Sequence, residues 1–303
     1  MPHASRLRAN QPPTEPLHVI ILGSAAGAAA AERIERALTG HGHTVSAVGP
    51  SQTSGEHAGP ITEADLVVVL GGDGSILRAA RWMGYHQVPA LGINLGRLGF
   101  LADTPPADVD DAIAELMAGR FRLVDHMMFE CEVAREGEVI HHDLGLNETS
   151  ILAGPPFAMI EIDLLVDGQP ATTYRADGLI VSTPVGSTAY NLSAGGPIVR
   201  KDMDAFVFTP LNPHTLTNRT VIDSADRRYE LRVPRPNAGS TCLVDGRVAA
   251  AIAPGDAIRI RRAQPRFTLV EIGGHGYYRT LREKLAWGGG LRAAERSRPE
   301  VDS

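Results

Sequence analysis

Cysteine, aromatic rings and excess positive charge are all scarce in this chain. The two cysteines, Cys131 and Cys242, are too few for a disulfide framework or a thiolate metal cluster. Both lie in apolar, strand-like surroundings that suit buried free thiols. Aromatic residues make up 5% of the 303 residues and hydrophobic residues 43%, so Val, Ile, Leu and Ala must fill most of the core. A net charge of −6 and a pI near 6.0 argue against a bulk nucleic-acid binder, which carries a basic face. They leave room for a small phosphorylated ligand held by a few local donors. No run of about 18 apolar residues occurs, as a membrane span requires. The opening MPHASRLRANQPPTEP has no apolar signal core. The expectation is a cytoplasmic protein, off the membrane, with loose tails at residues 1–16 and 295–303.

What is present divides into two patterns. From residue 17 to about 125, apolar runs (LHVIILG, ADLVVVL, VPALGINLG) alternate with helix-forming stretches (AAAAERIERALTG, SILRAARWM, PPADVDDAIAELMAG). Strands alternating with helices predict a mainly parallel, Rossmann-like α/β domain with both sheet faces covered. From 126 to 273 the pattern becomes short alternating strands with hairpin signals at Arg135–Glu138 and Asp167–Gly168. That predicts an all-β, sandwich-like second domain. GYYRTLREKLAWGG returns to helical spacing and is expected to pack back on the first domain, over residues 274–294.

Four stretches carry polar residues where a core or a linker would not. VVVLGGDGSILRAAR places Asp73 among Gly71, Gly72, Gly74 and Ser75, where a strand becomes a helix. Helix N-termini favour anions, and glycines let a backbone approach a phosphate. The phosphate-loop lysine is missing, and so is the G-x-G-x-x-G pattern. An ordinary glycine turn explains the motif as well as an anion site does. GINLGRLGFL, with Asn94 and Gly96, follows the next strand at the same sheet edge; two such loops could cup a polyphosphate, or simply pack closely. Asn147–Glu148 suits a base edge and a sugar hydroxyl, though a lone pair of this kind more often caps a strand end. RADGLIVSTPVGSTAYNLSAGGP, residues 175–197, is too polar for a core strand and too apolar for a linker. Its hydroxyls and one tyrosine suit a nucleoside.

Taken in order and spacing, GGDG, GxNxGxxGFL, NE, DGLIVSTPxGSTAYxLSAGGP, HTLTNR and YYRTLREKLAW closely resemble the NAD kinase family over roughly residues 17–290. The resemblance implies transfer of the γ-phosphoryl of ATP, or of polyphosphate in some members, to the 2′-hydroxyl of the adenosine ribose of NAD, giving NADP. On the matching positions, Asp73 is implied as general base. Gly74, Asn147, Glu148, Arg175, Asp177, Thr188, Ala189, Tyr190, Asn191, Leu192, Ser193 and, more weakly, Arg247 are implied to bind NAD, with Asp73 touching it too. Gly71, Gly72, Gly74, Ser75, Asn94 and Gly96 would face the ATP phosphates. No protein metal ligand is implied; Mg²⁺ would arrive on ATP. A homodimer or homotetramer is implied as well, with sites near subunit contacts. The sequence departs from the family at Ser75 and Val185, where Thr is common, and at Ala158, where some relatives have His. GGDG is also shared with diacylglycerol and sphingosine kinases and 6-phosphofructokinases. A lipid kinase would need an apolar acceptor cleft, which the 175–197 stretch opposes. A non-catalytic dinucleotide sensor would bind NAD and leave Asp73 idle.

Overall fold

The computed structural model describes residues 5–23, 25–49, 60–96, 99–215, 219–273 and 277–285. The first four strands, β1 (His18–Leu22), β2 (Thr44–Val48), β3 (Leu66–Leu70) and β4 (Ala90–Ile93), are parallel and run in the order β2-β1-β3-β4. Period-two alternation sends their side chains to opposite faces. Val19, Ile21, Val68 and Ile93 pack under α1 (Ala28–Gly40) and α3 (Val109–Met117). Ile20, Leu22, Val67 and Val69 pack under α2 (Asp73–Met83), whose Ile76, Ala79, Ala80 and Met83 recur at helical spacing. This is the doubly covered parallel sheet that the alternating pattern predicts.

The second pattern forms a sandwich. One layer holds β5 (Phe121–Arg135), β6 (Glu138–Gly145), β8 (Ile160–Val166), β9 (Gln169–Ala176), β13 (Tyr229–Arg232) and β16 (Ala257–Ile272). The other is a six-stranded antiparallel sheet in the order β12-β11-β10-β7-β14-β15, with β7 Glu148–Leu152, β10 Gly178–Ser182, β11 Ala205–Leu211, β12 Val221–Ser224, β14 Thr241–Val244 and β15 Arg247–Ala251. Phe129, Ile162, Tyr174 and Tyr229 of the first layer meet Val181, Phe206, Phe208 and Cys242 of the second. The hairpins at Glu136–Gly137, Asp167–Gly168 and Asp245–Gly246 each have positive φ at both residues, the backbone that two-residue turns between twisted strands require.

Two expectations change on contact with the fold. Residues 126 and 273 do not bound a separate sheet. β5 pairs with β16 along nearly its whole length, and β16 also runs parallel to β4 through Leu269 and Ala90, so one ten-stranded sheet spans both patterns. The apolar runs AIRIRRA and RFTLVEI form one strand with a register shift between Arg262 and Arg266. Pro265, lacking an N–H, sits at the irregularity, where a ladder tolerates it. Residues 5–16, expected as loose tail, instead dock. Leu7 is 1% exposed in the core under α1 and α3, and Arg6 bonds the buried Asp65 through its backbone N–H and its guanidinium. Gly119 has φ +75, and Gln11–Pro12 lies where its Cβ would be. The tail expected at 295–303 lies outside the described residues, as do 216–218 of HTLTNR. α5 (Tyr277–Leu285) buries Leu281 and stacks Lys284 on the Phe100 ring at 4.3 Å, so it meets the loop after β4.

Candidate active site

Asp73 opens α2 at the carboxyl end of β3. Its carboxylate is gripped by the loop after β4: Phe100 N–H donates to Oδ2 at 2.8 Å, and Leu101 and Ala102 N–H donate to Oδ1 at 3.0 and 3.1 Å. Gly99 makes this grip possible, because a Cβ there would overlap Asp73 Oδ1. A carboxylate offers about four lone-pair sites. Three are taken, which leaves one on Oδ2 for another partner.

The glycines around Asp73 are not equivalent. Gly71 has φ +149, and a Cβ on it would overlap the Ser75 hydroxyl. Its N–H donates to Ile93 O at 2.8 Å, tying the ends of β3 and β4 together. Gly72 and Gly74 have nothing within 4 Å of where a Cβ would lie, so the protein's own packing does not call for glycine there. A cavity of about 230 Å³ opens beside them at the ends of β1 and β3, lined among others by Gly23, Ala26, Gly71, Ser75 and Arg78. It is the crevice where parallel sheets bind ligands. The Arg78 guanidinium donates to Ser75 Oγ at 2.9 Å; sequence reasoning missed this cation, whose only signal is its place one helical turn after the glycine bend. Asn94, expected to face phosphates, is 2% exposed. Its amide donates to Ala102 O and accepts from Gly96 N–H, so it shapes the loop that grips Asp73.

Across the seam, Asn147 and Glu148 begin β7. Asp245, in the left-handed region at φ 46, accepts the N–H groups of Leu146, Asn147 and Glu148 at 2.8, 2.8 and 3.1 Å. Burial, helped by the Asp245 charge, pushes the Glu148 carboxyl up to about 8. Its Oε2 is buried with no partner. The segment after β10 lies directly on this turn: Thr183 N–H donates to Asn147 O at 2.8 Å, and a Cβ at Gly186 would overlap that carbonyl.

Within the GSTAYNLSAGG stretch the polar groups divide. Ser187 Oγ bonds Pro184 O and the Val199 backbone. Asn191 is fully buried; its amide donates to Ser187 O and Pro197 O and accepts from the Thr209 hydroxyl. Asn191, expected to bind ligand, thus uses both amide hydrogens and one lone pair of its oxygen in closing the loop. Thr188 Oγ1 donates to Val185 O at 3.1 Å. Tyr190, at 39% exposure, and Ser193 face outward from the short helix α4 (Tyr190–Ser193), with Ala189 and Leu192 half-buried. Arg247 stands exposed at the start of β15.

The two sides meet because α2 packs its apolar face on Leu144, Leu146 and Val185. Lys201, just past the GSTAYNLSAGG stretch, reaches Phe100 O of the loop that holds Asp73 at 3.5 Å. Arg175 and Asp177 do not join them. In the β7–β10 ladder Ser182 is opposite Glu148, while Gly178 is opposite Leu152. Asp177 therefore lies roughly 17 Å from the Glu148 end, at about 3.4 Å per residue. There Arg175 pairs with Glu161, and Asp177 accepts from Asn212 and faces His214.

A glycine bend with an open crevice beside it, joined across a two-layer seam to a polar loop, is an arrangement that suits phosphoryl transfer to a nucleotide. The ATP-NAD kinase N-terminal domain family matches residues 31–121, and the ATP-NAD kinase C-terminal domain family matches residues 146–272. The NAD kinase of Rhodopirellula baltica is 54% identical over 229 residues, 76% of this chain and 74% of that protein. That of Chromohalobacter salexigens is 43% identical, over 74% of this chain and 76% of its own length. An NAD kinase from Archaeoglobus fulgidus, solved with ATP, superposes with a TM-score of 0.71 at 26% identity, covering 89% of this chain and 98% of that one. Yeast NADH kinase, solved with NADH, shares the fold with a TM-score of 0.80 at 23% identity, over 93% and 91% of the two chains. The chain belongs to the NAD kinase family, and its reaction makes NADP from NAD and ATP.

Proposed function

We propose that Asp73 orients the 2′-hydroxyl of the adenosine ribose in line with the γ-phosphate of ATP and takes its proton late in the transfer. The observation that carries this reading is the three-donor grip on its carboxylate. The grip fixes the carboxylate direction and leaves one lone pair for a hydroxyl. Phosphoryl transfer passes through a loose transition state, so placement outweighs early proton removal. The start of α2 aims its free N–H groups and positive dipole end at the transferring phosphoryl, where they stabilise its charge. ATP, the ligand of the archaeal relative, fits the crevice beside Gly71, Ser75 and Arg78, with Gly72 and Gly74 keeping its phosphate side clear. The adenosine of NAD lies against Asn147, Glu148, Gly74, Tyr190 and Ser193, with Thr188, Ala189, Leu192 and Arg247 at the rim. Mg²⁺ comes with the ATP phosphates. Among the described residues the one three-residue group with metal-ligand spacing is Glu130, Glu132 and His142, on β5 and β6, and Arg261 pairs with both glutamates.

Arg175 and Asp177 act from a second copy of the chain. β10, which separates them from Asn147, is buried at every residue, so a dinucleotide has no open path along it within one copy. A homo-oligomer with shared sites follows from this reading.

Asp73→Asn should lower kcat by about 10²–10⁴-fold while NAD affinity by calorimetry stays within a few fold. Turnover near wild type would remove Asp73 as the base.

A further inference from the structure

Another cavity, of about 310 Å³, lies outside the site just described, where residues 200–202 and α5 meet the paired strands β5 and β16. Arg122, Arg200 and Lys201 line it with Glu271, Tyr277 and Tyr278. Its three cations outnumber its two carboxylates, Glu271 and Asp202. Arg122 uses one Nη on Glu271. Arg200 uses its Nε on Asp202 and a further bond on the Tyr278 hydroxyl. Both side chains are more than half exposed, and a guanidinium has five N–H donors, so donors remain for an anion. The exposed Tyr278 ring offers an apolar face beside them.

Lys201 joins this cavity to the active site. Its Nζ stands 3.6 Å from Glu271 and 3.5 Å from Phe100 O. Phe100 is the residue whose N–H holds Asp73 Oδ2. Both contacts of the ammonium are long for hydrogen bonds. The backbone of Lys201 is no better pinned. Its carbonyl lies 3.5 Å from Nδ1 of His126, a fully buried ring whose Nε2 has no partner. Charge-assisted bonds to a phosphate are shorter and stronger than these, so a bound dianion would draw Lys201 away from them.

We propose that this cavity is an inhibitory site for a small phosphate monoester that carries a flat ring. The phosphate binds Arg122 and Arg200 and draws Lys201 off Phe100 O, while the ring lies on Tyr278. The loop that grips Asp73 then slackens, and turnover falls. Glu271 and Asp202 oppose part of the cationic field, which keeps the affinity modest. Lys201 is a positioning residue here, acting on Asp73 through Phe100. Occupancy of the cavity stands apart from the phosphoryl-transfer site; only its effect on turnover rests on the reading of Asp73.

The probe is phenyl phosphate, with inorganic phosphate as the ringless arm. Calorimetry on the full chain should give phenyl phosphate a Kd of about 1 mM and inorganic phosphate a weaker one. In steady-state kinetics phenyl phosphate should lower kcat about fivefold, the low end of ordinary coupling between sites, with KM for NAD and for ATP unchanged. Arg122→Gln combined with Arg200→Gln should abolish binding and inhibition together. Basal kcat should hold in that variant, because exposed ion pairs contribute little to the fold. Lys201→Gln should turn over near the inhibited wild-type rate without the probe and no longer respond to it. Tyr278→Ala should reduce phenyl phosphate to the affinity of inorganic phosphate, a second reading if the arginine variant misfolds. Asp73→Asn should bind the probe as wild type does, so failure of Asp73 as base and failure of this site are told apart. Inhibition competitive with ATP or NAD and indifferent to the arginine substitutions would put the anion at the transfer site and overturn the proposal. Absence of binding, or binding that leaves kcat unchanged, would overturn it as well.

Discussion

Asp73 shows how much one residue depends on groups distant in sequence. Its carboxylate is held by backbone donors 27 to 29 positions away, and that approach requires Gly99. Gly99→Ala puts a methyl group into Asp73 Oδ1 and crowds Ala102 O at 2.8 Å. The loop must withdraw, and a reacting group displaced by about 1 Å loses about 10²-fold in turnover. Gly72→Ala makes the complementary case. Its φ of −87° and ψ of −169° suit alanine, and its Cβ meets nothing. Stability should change by no more than about 0.5 kcal/mol, while the KM for ATP rises. A thermal melt beside steady-state kinetics on both variants reads the two effects apart. The same local view shows what motif matching could not. Asn94 and Asn191 sit inside the recognised motifs, yet both are buried and hydrogen-bonded within the protein. A motif keeps the residues that build a loop along with those that touch its ligand, and one sequence does not separate them.

Elements were read more surely than their limits. The helices that flank the glycine bends were legible because Ile76, Ala80 and Met83 recur at helical period and Gly84, at φ 55, stops the run. The hairpins were legible because Asp-Gly favours paired left-handed residues and a glycine between alternating strands marks the other turn. The joining of two apolar runs into β16 was not, since Pro265 reads as a break in any local window. It is tolerated because the ladder shifts register there. The N-terminal segment belongs to this scale too. Its prolines and arginines suggest a tail, but one leucine carries it into the core. Leu7→Ala should destabilise the protein by about 2–3 kcal/mol, the low end for a buried leucine, because a terminal segment can fray rather than leave a rigid void. Urea denaturation measures that loss, and kcat should hardly move.

At the scale of the whole molecule, the seam between the parallel sheet and the sandwich is the functional feature. β5 and β16 run through both, so the seam is a stiff joint and not a linker. The acceptor and donor sides are held in register by continuous backbone hydrogen bonds, which suits a reaction governed by placement. The proposed action of Arg175 and Asp177 from a second copy of the chain is tested at this scale. Mixing an inactive Asp73→Asn chain with an inactive Asp177→Ala chain should restore up to about a quarter of the activity in a dimer with shared sites, since one site in four then combines two intact contributions. Such complementation, read by NADP formation, is absent if each chain works alone.

The residues alone determined the fold class, the two structural patterns and the reaction, and they singled out Asp73 as the proposed base, because hydrophobic period, turn chemistry and motif order are local properties written along the chain. Tertiary structure decided which motif side chains face the seam, where Arg78 and Asp245 enter, and that Arg175 and Asp177 lie a strand's length from Glu148. Those depend on register, burial and hydrogen bonds between segments far apart in sequence, and such bonds exist only once the sheets have closed on one another.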